Sequence, residues 1–337
     1  MTPYTTLCSR LTSYSPEMLT SSLYEKKQLI KLRCMRATLH IVPHDLAGIV
    51  HMATLRLRLV SCFSYFTKNN IPREVIEQFQ GILNDYVCIP QKAIDLETLI
   101  INQLSIDDNQ KQLCAKKVLK YFWEMGTLCY VNVAKDWEKE ERRYALTKKY
   151  YPGLYLSELS IDEAQDQLAY YYLKRFGPAT VKDFAWWSGL SAKVMLDYIK
   201  KTGDLVVSIQ FNGLKSEFYM LAEEYDMLHS YHCMNTGWVS LLAYEDPSLK
   251  GYYESRVRYV DERFYNLFFN QIGEVRAGVM HNGKAIGIWG WDKKKKHVII
   301  EYFSLVAEEI KRKVNKVKEA YESMLFPRRQ LTFFDES

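Results

Sequence analysis

Residues 162–221 read DEAQDQLAYYYLKRFGPATVKDFAWWSGLSAKVMLDYIKKTGDLVVSIQFNGLKSEFYML, and this stretch decides the fold. From Asp162 to Phe176 apolar and aromatic residues recur on one side at helical spacing, the pattern of an amphipathic helix. Gly177-Pro178-Ala179 turns the chain. Thr180 caps a second helix, with Asp183 at the reciprocal position three residues on. Gly189 ends that helix, and Ser191 caps a third that runs to about Lys200. Leu205–Ile209 and Phe218–Leu221 then read as strands joined around Asn212-Gly213. Helix, short helix, turn, helix and hairpin is the winged-helix order, and the second helix of such a turn is the usual major-groove reader. Here it offers Lys193, Lys200 and Lys201 outward. As phosphate contacts they would supply affinity rather than sequence specificity; as plain lysines they form an ordinary solvated face.

Working outward, Ser15-Pro16-Glu17 opens a helix to about Lys26. Met35, Ala37, Leu39 and Ile41 alternate with Arg36, Thr38, His40 and Val42, which predicts a strand with Arg36 and His40 on one face. Ala47–Phe66 reads as helix, Pro72 starts another through about Asn84, and two shorter helical pieces precede Asp107-Asp108-Asn109. A second unit begins near Gln110, with a helix over Lys111–Glu124, a wing strand over Leu128–Val133 and a charged stretch, Asp136–Tyr150. Further on, Arg276–His281 and Lys284–Trp289 flank Asn282-Gly283, a strong hairpin signal. A strand over His297–Phe303 and a helix over Leu305–Met324 close the chain. The expected fold class is α+β: tandem winged-helix motifs, each a helix-turn-helix plus β-hairpin wing, followed by a C-terminal antiparallel β domain with a closing helix. The expected segments are an incomplete first winged-helix domain over 1–106, a second unit over 107–160, a third over 161–232 and the β-rich domain over 233–337.

Composition narrows the function classes. The chain has 337 residues, 48% hydrophobic and 25% charged, which is ordinary soluble composition with material for two or more domains. No unbroken run approaches the ~20 apolar residues that span a bilayer, and MTPYTTLCSRL lacks the basic and apolar regions of a signal peptide. Cysteines at 8, 34, 62, 88, 114, 129 and 233 form no CxxC pair. An odd, dispersed set argues for free thiols in a reducing, cytoplasmic setting, against a disulfide framework or zinc knuckle. His40-x3-His44 has no third ligand at matching spacing, so no metal site is expected. The net charge of +5 is compatible with nucleic acid without requiring it.

Other candidates each carry two readings. Trp186 and Trp187 are adjacent, so one helix cannot bury both on one side; one belongs to the core, and the other seals an interface or stacks on a base. Asp183 reads as a cap rather than a catalyst. Arg256 and Arg258, with Arg263, alternate with Tyr252, Tyr253 and Tyr259. That interleaving fits a nucleic-acid surface or a salt-bridged seam with Asp261 and Glu262. Lys293, Lys294, Lys295 and Lys296 tip a loop, for backbone contact or for solubility. Trp289 and Trp291 share a strand face and pack within the β domain.

Three of these stretches resemble the AlkZ-like (YcaQ-type) winged-helix DNA glycosylase family. Met35-Arg36-Ala37-Thr38-Leu39-His40 is similar to the family's MRGTLH signature. Phe176–Thr180 followed by Asp183–Leu190 resembles its YGPAT–DFAWWSGL motif, and Val279–Trp289 resembles its C-terminal hairpin. Order and spacing agree from about Tyr4 to Leu325. The resemblance implies tandem winged helices around duplex DNA and a C-terminal β-rich domain. It implies cleavage of the N-glycosidic bond of alkylated or crosslinked purines without metal or organic cofactor, by a monomer. It places Arg36 and His40 on the wall of the DNA cavity, His40 near sugar or phosphate; His40 as a hydrogen-bonded structural histidine is the alternative. The family's water-holding Gln-x-Gln or Gln-x-Asp pair lies just upstream of the segment matching Tyr4–Leu11, and nothing in this sequence matches it. Gln78-x-Gln80, Gln110-x-Gln112 and Gln165-x-Gln167 stand elsewhere, in helical context where i and i+2 point apart. Two expectations therefore stay open, a glycosylase and a noncatalytic winged-helix DNA-binding protein.

Overall fold

Short antiparallel hairpins alternate with helices along most of the chain. The structure is a computed structural model that describes residues 2–104, 108–134, 137–232, 237–271, 273–292 and 294–326; Cys233 and Lys293 lie outside the described residues. In chain order the elements are α1 (Thr2–Cys8), α2 (Pro16–Thr20), β1 (Leu29–Arg33), β2 (Leu39–Pro43), α3 (His44–Lys68), α4 (Arg73–Tyr86), α5 (Ala93–Gln103), α6 (Asp108–Glu124), β3 (Leu128–Asn132), β4 (Arg142–Leu146) and α7 (Thr147–Tyr150). Then come α8 (Ile161–Phe176), α9 (Val181–Ser188), α10 (Ala192–Thr202), β5 (Val206–Ile209), β6 (Phe218–Leu221), α11 (Tyr225–Ser230), β7 (Val239–Leu242), α12 (Pro247–Lys250), α13 (Tyr265–Phe268), β8 (Gly278–His281), β9 (Lys284–Asp292), β10 (His297–Tyr302) and α14 (Glu308–Leu325). They gather into two compact units, Thr20–Ala222 and Met1–Leu19 with Glu223–Ser337.

Within Thr20–Ala222 the winged-helix order occurs twice. A winged helix needs a short strand after its first helix that pairs with the far strand of the wing. In the motif α8–α9–α10–β5–β6 that strand is the single residue Ala179, bonded to Tyr219 in both directions at 3.0 and 2.8 Å. In α4–α5–α6–β3–β4 it is Gln91, bonded to Tyr144 at 2.9 and 2.8 Å. That pairing draws α4 and α5 into the second motif, upstream of the expected boundary at 107. Its core is a continuous apolar cluster including Phe79, Leu83, Leu96, Val118, Phe122 and Leu146.

Two features differ from expectation. The strand expected from Met35 to Val42 begins only at Leu39, and it pairs with β1 in register Leu29↔Pro43 to Arg33↔Leu39. Residues 34–38 are the turn of this hairpin, with Arg36 and Ala37 both left-handed at φ 53° and 52°. The turn is closed by Cys34 N–H to Thr38 O at 3.0 Å and Thr38 N–H to Met35 O at 3.0 Å. Arg36 therefore does not share a strand face with His40. Secondly, α3 is long and apolar enough to cross a membrane by length and composition. Arg56 and Arg58 interrupt its apolar run, which hid it from a search for unbroken stretches. Half of its most apolar window is buried within the fold, where α3 packs on α8 and α6.

The other unit carries a four-stranded antiparallel sheet in the order β10-β9-β8-β7, with α14 against β7 and β10. Asn282 and Gly283 at φ 46° and 81° supply the two left-handed residues that a two-residue hairpin needs. Trp289 donates its indole N–H to Leu242 O at 2.7 Å, and Trp291 stacks on Phe326. Arg10 forks onto the buried Asp246 with bonds of 2.9 and 2.6 Å, tying the N-terminal segment to the start of α12.

Candidate nucleic-acid interface

The geometry of α10 separates an inner from an outer face. Met195 and Tyr198 are buried against α8 and α9, while Lys193, Leu196, Asp197 and Lys200, spaced i, i+3, i+4 and i+7, are exposed. Lys193 pairs along the helix with Asp197. Lys201 turns instead to Asp166 on α8. Lys200 stays exposed on the outer face. The β5–β6 wing adds Lys215, exposed near its tip; a single lysine in a turn has no periodicity to mark it in the sequence. In the other motif the corresponding helix, α6, leaves Gln112, Leu113 and Lys116 exposed near its start, and α3 packs on its C-terminal half. Lys120 donates to Ser61 at 2.9 Å, the Lys117 ammonium lies 5.7 Å from the Tyr65 ring, and Phe63 packs edge-on against Tyr121.

The start of α10 is set by the helix before it. Thr180 and Asp183 form a complete capping box at the start of α9, with bonds of 3.1 Å each way. Both residues are buried, so Asp183 is occupied as a cap. Thr180→Ala is expected to cost about 1–2 kcal/mol, read as a lower unfolding midpoint. A midpoint equal to that of the wild type would mean that the cap carries no load. Trp187 is half-buried and packs against Tyr172, Phe176 and Phe184. Trp186 faces the β1–β2 turn, where the Arg36 guanidinium lies 3.8 Å from its ring centroid.

Beside that turn, Thr38 Oγ1 donates to Met35 O at 3.1 Å. Having spent its proton, it accepts from His40 Nε2–H at 2.9 Å. Burial lowers the His40 pKa below the ordinary histidine value, so the ring is neutral at neutral pH. Among the described residues no group of three or more His, Cys, Asp or Glu side chains comes together as a metal site.

A family model described as DNA glycosylase AlkZ-like matches residues 1–324. The chain belongs to this family. Among solved structures, the Streptomyces sahachiroi DNA glycosylase AlkZ is similar with a TM-score of 0.75 over 97% of this chain and 88% of that one, at 19% identity. That likeness concerns the fold: a winged-helix region and a C-terminal antiparallel sheet followed by α14. No curated protein matches.

The remaining candidates of this AlkZ-like chain divide by burial. Arg256 is only 4% exposed. Its guanidinium lies 4.5, 4.9 and 5.6 Å from the rings of Phe269, Tyr253 and Tyr265, and its Nε donates to Tyr265 at 2.8 Å. The expected nucleic-acid contact at Arg256 is thus corrected to an internal stack; alternating Arg and Tyr look the same in sequence whether they face solvent or each other. Arg258 is half-buried over Tyr252 and Tyr259 at 4.5 and 5.0 Å. Arg263 pairs with Asp261 at 2.8 Å. Lys294, Lys295 and Lys296 are exposed at the β9–β10 tip. There Asp292 accepts from the backbone N–H of Lys294 and Lys295 at 2.9 and 3.0 Å, and the Lys296 ammonium sits 4.7 Å from the Phe326 ring.

Proposed function

We propose that this chain binds double-stranded DNA, with the outer face of α10 in the major groove and the β5–β6 wing along the backbone. The observation that carries the reading is the contrast between the two motifs: α10 presents an exposed face with Lys193 and Lys200, whereas α3 packs on the C-terminal half of α6 at Lys117, Lys120 and Tyr121. Phosphate neutralisation by lysine supplies most of such affinity and makes it steeply salt-dependent. The double variant Lys193→Glu, Lys200→Glu is expected to weaken binding of a labelled duplex at least about tenfold. It should also flatten the log–log salt slope by roughly 1 to 2, at about 0.9 per phosphate contact. Equal affinity and slope in fluorescence anisotropy would sink the reading.

A second reading is hydrolysis of the N-glycosidic bond of alkylated or crosslinked purines, within the same cytoplasmic, DNA-bound monomer. Family membership favours it, together with the neutral His40 hydrogen-bonded to Thr38. A cationic alkylpurine is already a good leaving group, so the chemistry asks for a held water and stabilisation of positive charge on the sugar, not for a metal or organic cofactor. Abasic sites released from an N7-methylguanine duplex above spontaneous depurination, and lost in His40→Ala, would support it. Release at the spontaneous rate would leave the binding reading alone.

A further inference from the structure

Two motifs separated by about 150 residues of sequence meet in one contact. Gly189, between α9 and α10, is left-handed at φ 78°. A Cβ there would come within 3.0 Å of Arg36 Cα, 3.1 Å of Arg36 N and 3.1 Å of Leu57 Cδ2. A side chain there would force the backbone of the β1–β2 turn to give way by a few tenths of an ångström, and only glycine holds that φ without cost. On the other side of the contact Arg36 is itself left-handed, an uncommon conformation for a side-chain-bearing residue. Its guanidinium lies over Trp186, on α9. The neighbouring Trp187 packs on Tyr172 of α8, which anchors α9 on a second side. Ser191, the residue before α10, follows Gly189 by two positions.

We infer that Arg36 is a positioning residue for α10: clamped on Trp186, the β1–β2 turn sets the angle at which the recognition helix is presented. The inference rests on the DNA-binding reading for its consequence, but the clamp has a signature without DNA. The rival role for Arg36 is a direct phosphate ligand.

The test uses the full chain with Arg36→Ala, Trp186→Leu and their double variant. Trp186→Phe and Arg36→Lys, which keep a ring and a cation, serve where the harsher changes fail to fold. In the free protein, hydrogen–deuterium exchange of the α10 amides is expected to rise at least about fivefold in Arg36→Ala, with the β3–β4 amides unchanged. With a labelled duplex, each single variant is expected to bind about 5- to 10-fold more weakly, the size of a partly desolvated cation–π contact. The salt slope should hold, the double variant should be no weaker than the weaker single, and Arg36→Lys should retain most of the affinity. Unchanged α10 exchange in Arg36→Ala overturns the clamp whether or not DNA binds. A slope lower by about 0.9 in Arg36→Ala, with multiplying effects in the double variant, overturns it in favour of a phosphate ligand. Failure of the DNA-binding reading shows separately, as wild-type protein that binds no duplex while the exchange difference persists.

Discussion

Glu124→Ala is expected to destabilise the Thr20–Ala222 unit by about 3–5 kcal/mol, the range for removing one partner of a buried ion pair. Glu124 is the last residue of α6 and has no exposed surface. Its carboxylate accepts from Arg58 Nη1 at 3.0 Å, and its other oxygen lies 2.9 Å from Arg33 Nε. Arg58, buried on α3, also donates to Glu124 O, His51 O and Thr54 Oγ1. Alanine would leave that guanidinium in the interior beside Arg33 with no counter-charge. Removing both charges with Arg58→Leu and Glu124→Leu is expected to cost less than the single change, because the cation then left without Glu124 is only the partly exposed Arg33 and not the buried Arg58. As a control, Glu77→Ala breaks the exposed Arg73–Glu77 pair and should cost at most about 0.5 kcal/mol. Guanidinium unfolding reads all three; a Glu124→Ala loss under about 1 kcal/mol would mean that the pair is dispensable.

The same network makes the unit sensitive to acid. His51 is 1% exposed. Arg58 Nη2 approaches its Nδ1 at 3.2 Å, and since a guanidinium can only donate, Nδ1 accepts and the ring is neutral. Leu156 and Gly126 pack closely by the ring, where a Cβ on Gly126 would come within 3.0 Å of His51 Cε1. Burial first, and the Arg58 charge second, push the His51 pKa down to about 3. The unfolded chain binds its proton near pH 6.5, so the unfolded state takes up more protons at lower pH. The contribution of His51 is therefore complete above about pH 6.5 and is lost as pH falls toward 3, with a slope of up to roughly 1.4 kcal/mol per pH unit. Arg58 and Glu124 are the charged groups of this network nearest the ring, and the buried Cys34 thiol stays protonated through this window because burial pushes its pKa up to about 12. His51→Gln should flatten the fall in unfolding free energy between pH 7 and pH 5. A wild-type protein equally stable at both values would contradict the account of His51.

The winged helix α8–α9–α10–β5–β6 was legible because each boundary had its own local chemistry: a Thr-Asp capping box, a left-handed glycine, and helical spacing that puts Met195 and Tyr198 inside and Lys193 and Lys200 outside. Asn282-Gly283 marked the C-terminal hairpin for the same reason. What stayed hidden depends on contacts between distant residues. Gln91 gives no local sign that it pairs with Tyr144, so the start of the second motif was invisible. Met35–Thr38 alternates like a strand, yet pairing of β1 with β2 forces it into a turn. The adjacency of Trp186 and Trp187 showed that they must part company, but only the fold sends Trp187 inward and puts Trp186 under Arg36. Lys200 was readable from helical spacing; the internal stack of Arg256 was not, because it requires Phe269 and Tyr265 to be brought beneath it.

Site-specific photocrosslinking to duplex DNA distinguishes the two helices, with a benzophenone amino acid placed at Leu196 on the outer face of α10 or at Lys117 on the side of α6 that faces Tyr65 of α3. A salt-sensitive crosslink is expected from position 196 and none from position 117. Duplex binding by both labelled proteins with no crosslink from 196, or a crosslink from 117 alone, would contradict the placement of α10 in the major groove.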